Sequence, residues 1–173
     1  LVKAYPDRFL GLATLPMQAP QRAADELRRA VSSLGLGGTM IGSNVAGRNL
    51  DDPALEPLWA TAAELGALVL VHPINVAGVE RMRSYYLNNL IGNPLDTTIA
   101  AACLGFGGVL DRHPRLKVLL VHGGGFVPYQ AGRWVHGWNV RPEPKVNVQH
   151  SPEPWLDRFY YDTILHGGPQ LEF

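Results

Sequence analysis

The sequence of 173 residues lacks an excess of charge of either sign, because 15 lysines and arginines balance 15 aspartates and glutamates when histidine is neutral. A protein that binds nucleic acid usually carries a basic excess or a basic stripe, so the balance argues against that class. Long apolar runs are also missing: the longest nearly apolar stretch, 99–110, falls short of the roughly 18 residues that a membrane-spanning helix needs. We therefore expect neither a nucleic-acid partner nor a membrane partner.

Cysteine is nearly absent, since Cys103 is the single one. No disulfide can form within the chain, and this favours a reducing compartment such as the cytoplasm. The sequence begins at Leu1 rather than at a methionine, and its last residues, 169–173, read like the first turn of a helix. We therefore expect the chain to be a piece of a longer protein.

Glycine and proline, in contrast, are abundant, with 19 and 14 residues. They lie at the joints between apolar segments, as a fold with many strand-to-helix turns requires. Apolar residues lie on one helical face in three segments, which predicts helices at 20–34, 53–65 and 94–110. The segment 126–138 is also predicted to be helical. Five further segments are predicted to be strands: 8–16, 38–41, 67–71, 116–121 and 159–164. The segments 72–93 and 141–154 are predicted to be irregular.

The alternation of strands and helices indicates an α/β fold with a parallel sheet. The strands 67–71 and 116–121 are apolar throughout, as expected where both faces of a parallel sheet are buried. A doubly wound sheet and a (β/α)8 barrel both fit this order, but five strands cannot close an eight-stranded barrel. Either the sheet is open or strands are missing. No second domain is apparent, so residues 1–173 are predicted to form a single domain.

Three histidines come at the carboxyl ends of predicted strands, where the working groups of parallel α/β folds cluster. His72 and His122 directly follow their strands, and His166 follows the last strand after one residue. Three glycines come after His122, at 123–125. One glycine would suffice for a tight turn, so a run of three predicts an open floor beside a site, where no side chain screens the imidazole.

Five short motifs occur in order along the chain: LVHP at 70–73, NPLDTT at 93–98, RHPRLK at 112–117, VHGGG at 121–125 and FYYDT at 159–163. Together with RFLGLATLP at 8–16 they span nearly the whole sequence. In this combination the chain resembles the amidohydrolase-related metal-dependent decarboxylases. Aminocarboxymuconate-semialdehyde decarboxylase and γ-resorcylate decarboxylase are members of that family.

The resemblance implies a distorted (β/α)8 barrel of the metal-dependent hydrolase type, with about five of its eight strands present, and a divalent metal. Zinc is the usual ion and manganese is an alternative. His72 matches the metal ligand on a middle strand, and His122 matches the histidine that acts as acid and base or polarises the substrate. Arg133 matches an arginine that, in some members, reaches the neighbouring subunit of a dimer and binds the substrate carboxylate. His166, from its position, is predicted to line the substrate site.

Two elements of the family pattern are missing from the sequence. There is no His-x-His pair, which family members carry on the first strand, and no Gly-Thr-Asp segment that would supply the last ligand. Because catalytic zinc takes about three protein ligands, we expect the chain to be inactive without those parts. The residues thus predict the central part of a decarboxylase for a small aromatic or unsaturated carboxylic acid that works as a homodimer or a higher homo-oligomer. A hydrolase or hydratase acting on a lactone or amide, and an inactive truncated fragment, remain alternatives.

Overall fold

In a computed structural model, which describes residues 1–172, five parallel strands form one sheet in the order in which they occur along the chain. They are β1 (Leu12–Thr14), β2 (Gly38–Gly42), β3 (Leu68–His72), β4 (Lys117–Leu120) and β5 (Tyr160–Tyr161). The predicted α/β class and the parallel sheet are confirmed. Each strand pairs with the next one, whereas a doubly wound sheet reverses its strand order at a switch point. The observed order is that of a barrel.

Helices connect the strands, as predicted. They are α1 (Pro20–Leu34), α2 (Glu56–Leu65), α3 (Asn93–Phe106), α4 (Val109–Arg112), α5 (Val127–Val140), α6 (Glu153–Leu156) and α7 (Gly168–Leu171). The predicted limits of α1 are matched at both ends, and a 3-10 turn precedes α2. Both helices end at a glycine in the left-handed conformation, Gly35 and Gly66, which can adopt it without a steric penalty. The predicted helical start at 169–173 is confirmed for residues 169–171, which belong to α7; Glu172 follows the helix, and Phe173 lies outside the described residues.

Several predicted boundaries are wrong for local reasons. The helix predicted at 94–110 stops at Phe106, because Gly108 turns into the left-handed region (φ 73°) before α4 begins. The last strand is two residues long rather than six, because the Asp162 carboxylate accepts a hydrogen bond from the backbone amide of Ile164 and turns the chain. The segment 72–93, predicted to be irregular, ends in a π-helical turn, Asn88–Gly92, that leads directly into α3.

One face of the sheet is covered by the helices and forms the core. Alternate residues along the strands point to this side and are buried there, among them Ala13, Thr39, Val69 and Val118. Trp155 of α6 closes this layer at the β5 end, where its ring meets those of Phe106 and Phe159 edge to face. The core on the helical side is therefore continuous from β1 to β5.

The opposite face of the sheet is largely open to solvent within residues 1–172. One row of paired residues crosses it from β1 to β5: Thr14, Met40, Leu70, Leu119 and Tyr160. Met40 is 47% exposed and Tyr160 51% exposed, while the two leucines are half-buried. The prediction that β3 and β4 are buried on both faces is therefore wrong for this part of the chain. In a closed barrel this face lines the interior, which side chains fill.

None of the helices within residues 1–172 is both long and apolar enough to cross a membrane.

Candidate active site

The carboxyl edge of the sheet brings two of the three predicted histidines together. His72 is the last residue of β3, and His122 follows β4 after Val121. Because β3 and β4 are parallel neighbours, their ends meet at the same edge. The two imidazole rings lie edge to face, with their centroids 5.7 Å apart. At this separation both side chains can reach one small bound molecule.

The imidazole of His72 is oriented by its own backbone. Its Nδ1 lies 3.1 Å from the carbonyl oxygen of Pro73. A carbonyl oxygen can only accept, so Nδ1 carries the proton in the neutral ring, and Nε2 keeps its lone pair. A histidine whose Nδ1–H is bound in this way presents Nε2 as a ligand or a hydrogen-bond acceptor.

His122 is held in an unusual environment. Its φ of 58° places a non-glycine residue in the left-handed region, a strained conformation that occurs preferentially at functional sites. Its Nδ1 is buried and has no hydrogen-bond partner among residues 1–172. Burial lowers the pKa of His122, the carboxylate of Asp162 partly opposes this, and the nearby His72 and His166 lower it further. The imidazole is therefore neutral near pH 7 and able to accept a proton.

The glycine run after His122 is closely packed at the positions where side chains would begin. All three glycines have positive φ, between 59° and 81°, and each has a close neighbour where a side chain would begin. A Cβ on Gly123 would lie 2.4 Å from the Leu165 side chain, and one on Gly125 would lie 2.2 Å from the backbone oxygen of Pro94. The run is thus required by backbone conformation and close packing, while Gly123 and Gly125 still line a cavity with Tyr161 and Asp162.

Replacing Gly125 by alanine is expected to lower the free energy of unfolding by about 2–5 kcal/mol, from left-handed strain together with overpacking. The clash is with backbone and cannot be relieved by rotating a side chain. Urea unfolding of both proteins measures the difference. Gly132→Ala on α5 is the matched control, because nothing lies within 4 Å of the new Cβ; it should stabilise by about 0.5–1 kcal/mol. Equal effects of the two substitutions would contradict the close approach at Gly125.

His166 and Asp162 lie at the same edge, after β5. His166, like His122, has a φ of 58°, and its side chain is exposed. The Asp162 carboxylate accepts a hydrogen bond of 2.8 Å from the amide of Gly123. Asp162 therefore fixes the turn that carries His122, and His166 is near enough for its charge to act on that ring.

Arg133 lies on the helix that follows the glycine run. It is exposed on α5 and makes no hydrogen bond or ion pair within residues 1–172. Its guanidinium is therefore available to a group outside the described part of the chain.

The remaining histidines belong to other parts of the surface. His113 lies 2.6 Å from a carboxylate oxygen of Glu56, and His150 lies 3.0 Å from Asp111. His136 is exposed on α5. The contact of each of these two histidines, His113 and His150, with a carboxylate explains it as a structural residue.

The site fits a divalent metal in part. The free Nε2 of His72 and the unpartnered, buried Nδ1 of His122 are nitrogen atoms of the kind that zinc and manganese sites use. Within residues 1–172, however, no three histidine, cysteine or acidic side chains are placed to hold an ion together. The described residues thus offer two imidazole nitrogen atoms, on His72 and His122, and no third side chain that is placed to complete the site.

Sequence reasoning missed a buried carboxylate, that of Asp96, which contacts the loop after His72. Asp96, in the first turn of α3, is only 5% exposed, and the Ser43 hydroxyl donates a hydrogen bond to it. The one signal in the sequence is a charged residue on the apolar side of a helix start. That signal is weak, because acidic residues are common in first helical turns.

A parallel sheet in sequential strand order, with histidines gathered at its carboxyl edge, defines an enzyme-type (β/α) barrel. The model of the amidohydrolase family matches residues 1–167, and the chain belongs to that family. The predicted family and the partial barrel are confirmed.

Relatives with related names support the assignment. The 2-amino-3-carboxymuconate-6-semialdehyde decarboxylase of Dictyostelium discoideum is 43% identical over 174 residues, covering 100% of this chain and 48% of its own length. The γ-resorcylate decarboxylase of Rhodococcus jostii is 31% identical, with coverage of 91% and 53%. A solved dihydroxybenzoic acid decarboxylase from Polaromonas, with bound manganese and the inhibitor 2-nitroresorcinol, has a TM-score of 0.80 at 28% identity, with coverage of 92% and 52%. The chain spans about half the length of each of these proteins.

Proposed function

We propose that the protein to which this chain contributes is a metal-dependent decarboxylase acting on a small aromatic or unsaturated carboxylic acid. The observation that carries the proposal is the histidine pair, with His72 presenting a free Nε2 beside a neutral, strained His122. The names of the relatives, all decarboxylases of such acids, support the same reaction class. Residues 1–173 would form one domain, the central portion of the barrel, and the missing strands would come from the rest of the protein.

His72 would be one ligand of the divalent cation. Zinc is the ion first expected from the resemblance, and the manganese in the Polaromonas structure supports a divalent ion more generally. When bound, such an ion holds substrate oxygens and stabilises the negative charge that develops on them. The hydrogen bond from Nδ1 of His72 to the carbonyl oxygen of Pro73 keeps Nε2 of His72 available as a metal ligand.

His122 would be the catalytic acid and base. In the reaction the bond between the ring or alkene carbon and the carboxylate breaks, carbon dioxide leaves, and a proton takes its place on that carbon. Because burial lowers the pKa of His122, its imidazole can accept a proton from a bound water or a substrate hydroxyl and return it to the carbon. His166, at the same edge, would line the substrate site.

The proposal is tested with the full-length protein, loaded with zinc or manganese, and a panel of small aromatic and unsaturated carboxylic acids. Trapping of carbon dioxide in step with substrate loss is the expected result. Turnover of a lactone or an amide without carbon dioxide release across the panel would instead indicate a hydrolase. A full-length protein that binds metal but turns over neither group of substrates would show that the chain belongs to an inactive relative.

Arg133 would bind the substrate carboxylate in the site of a partner subunit. Its exposure on α5 and its lack of partners within residues 1–172 support this role in a homodimer.

This role is tested by mixing the inactive His122→Asn and Arg133→Ala proteins under subunit exchange. About half of the dimers are then mixed, and one of the two sites in each mixed dimer has both groups. The mixture should therefore recover up to about a quarter of the wild-type turnover. A mixture that stays as inactive as the separate variants would contradict a role across the interface.

We also place the protein in the cytoplasm. The single cysteine, Cys103, is partly buried, and burial raises the pKa of its thiol to about 11. Cys103 is therefore an unreactive free thiol, and a protein without disulfides does not depend on an oxidising compartment.

A further inference from the structure

The peptide group between Pro73 and Ile74 is held by hydrogen bonds at both of its ends. Its carbonyl oxygen faces Nδ1 of His72, and its amide hydrogen is donated to Oγ of Ser43 over 3.1 Å. The orientation of this one peptide plane therefore determines where the acceptor for the His72 ring lies. A contact that fixes the orientation of this peptide plane therefore also fixes the orientation of the His72 ring.

Ser43 is itself locked in one direction. It is 2% exposed, and its oxygen accepts from the Ile74 amide while its hydroxyl donates to a carboxylate oxygen of Asp96. A serine hydroxyl has one proton to give, so the bond to the carboxylate leaves the lone pairs turned toward Ile74. A buried charged acceptor makes this a strong hydrogen bond.

Asp96 joins three segments of the chain. Besides Ser43, its carboxylate accepts hydrogen bonds from Nδ2 of Asn44 at 3.2 Å and from the amide of Ala77 at 3.1 Å. The Nδ2 group of Asn44 also lies 2.6 Å from the carbonyl oxygen of Ile74. The loop after β3 is thus tied to the end of β2 and to the first turn of α3 around one buried carboxylate.

We propose that Ser43 and Asp96 are positioning residues for His72, acting through the Pro73–Ile74 peptide. The chain of contacts runs from the Asp96 carboxylate to the Ser43 hydroxyl, then through the peptide plane to Nδ1 of His72. It fixes both the direction of the ring and the tautomer that leaves Nε2 unprotonated. The effect on metal binding rests on the proposed function of His72, whereas the effect on the tautomer does not.

The test uses the metal-free and metal-loaded full-length protein with Ser43→Ala and Asp96→Asn. Long-range proton–nitrogen NMR of the imidazoles reports which ring nitrogen of His72 carries the proton, and chelator competition gives the dissociation constants for zinc and manganese. Both variants should shift His72 from the Nδ1–H form toward a mixture with the Nε2–H form. Both should also weaken metal binding about 10–100-fold, as loss of groups that orient ligands does.

Two further variants separate positioning from general loss of stability. Thr97→Val removes a side-chain hydrogen bond from the buried Thr97 to the carbonyl oxygen of Asn93 on the same helical turn, and none of the hydrogen bonds to the loop after β3. It should leave the tautomer and the metal affinity unchanged even though it lowers stability. Ser43→Thr keeps the hydroxyl and should retain the wild-type tautomer, which provides a folded reference if the alanine variant does not fold.

The outcomes distinguish this proposal from the metal role of His72. A wild-type tautomer and wild-type metal affinity in folded Ser43→Ala or Asp96→Asn would overturn the positioning role. Equal shifts of the tautomer in Thr97→Val would do the same. A shifted tautomer in the two variants, together with a His72→Ala protein that binds metal as tightly as wild type, would support the positioning role and overturn the metal role instead.

Discussion

Replacement of His72 by alanine is expected to weaken divalent-metal binding by the full-length protein by more than about 100-fold, because even groups that only orient metal ligands contribute 10–100-fold. The proposed decarboxylation should fall with the metal content. The side chain is exposed at the end of β3, so its loss removes no core packing and the fold should persist. Metal content after dialysis against a chelator, with the unfolding temperature of the metal-free protein as the reference, measures the effect.

His150→Ala is the matched control for this experiment. His150 is also an exposed histidine, but it pairs with Asp111 away from the carboxyl edge of the sheet. The variant should retain metal and activity. If His72→Ala kept stoichiometric, tightly bound metal, the assignment of His72 as a ligand would be wrong.

Replacement of His122 by asparagine should have the second large effect, a loss of about 10²–10⁴ in turnover with the metal retained, which is the usual contribution of a general acid and base. Asparagine is the informative replacement because His122 has a φ of 58°, and asparagine tolerates the left-handed region better than most side chains. The backbone turn before Gly123 can therefore persist. Single-turnover rates at saturating substrate, with metal content measured in parallel, separate lost chemistry from lost binding.

His166→Asn makes the same chemical change at a residue with the same φ of 58°. Because His166 is expected to line the site rather than transfer the proton, its replacement should alter KM more than kcat. Loss of turnover at His166 with full activity at His122 would reverse the two assignments.

The sequence predicted the architecture well because that architecture depends on periodic patterns. The helix α1 was delimited at both ends by Pro20 and Gly35, and the run at 116–121 identified β4. The sequence also predicted that His72 and His122 lie at the carboxyl ends of parallel strands, whereas the pairing of β3 with β4, which makes the two residues neighbours, came from the structure. Such inferences need only local spacing and the rules of sheet topology.

The details that sequence could not predict arise from contacts between distant segments. The close approach of Gly125 to Pro94 joins residues that no periodicity relates, so the sequence did not predict that this position requires a glycine. Similarly, nothing in the sequence related Asp96 to Ser43, 53 positions away, and the buried contact between them became visible only in the structure. The family was predicted from several motifs of modest specificity that occur together in order, and the match of the family model over residues 1–167 confirmed it.

The two unequal faces of the sheet have a thermodynamic consequence. Residues alternate along β3, so Leu70 and His72 point to the open face, while Val69 and Val71 point into the core covered by helices. The open face of the sheet would form the inner layer of a closed barrel. If His72 holds a cation, the ion lies on this face, and its binding is linked to the closure of the barrel over Leu70 and its neighbours. A ligand that binds only the closed form stabilises it by an amount that grows with the logarithm of ligand concentration. Chelation should therefore loosen the inner layer first and leave the outer core, from α1 to Trp155, folded.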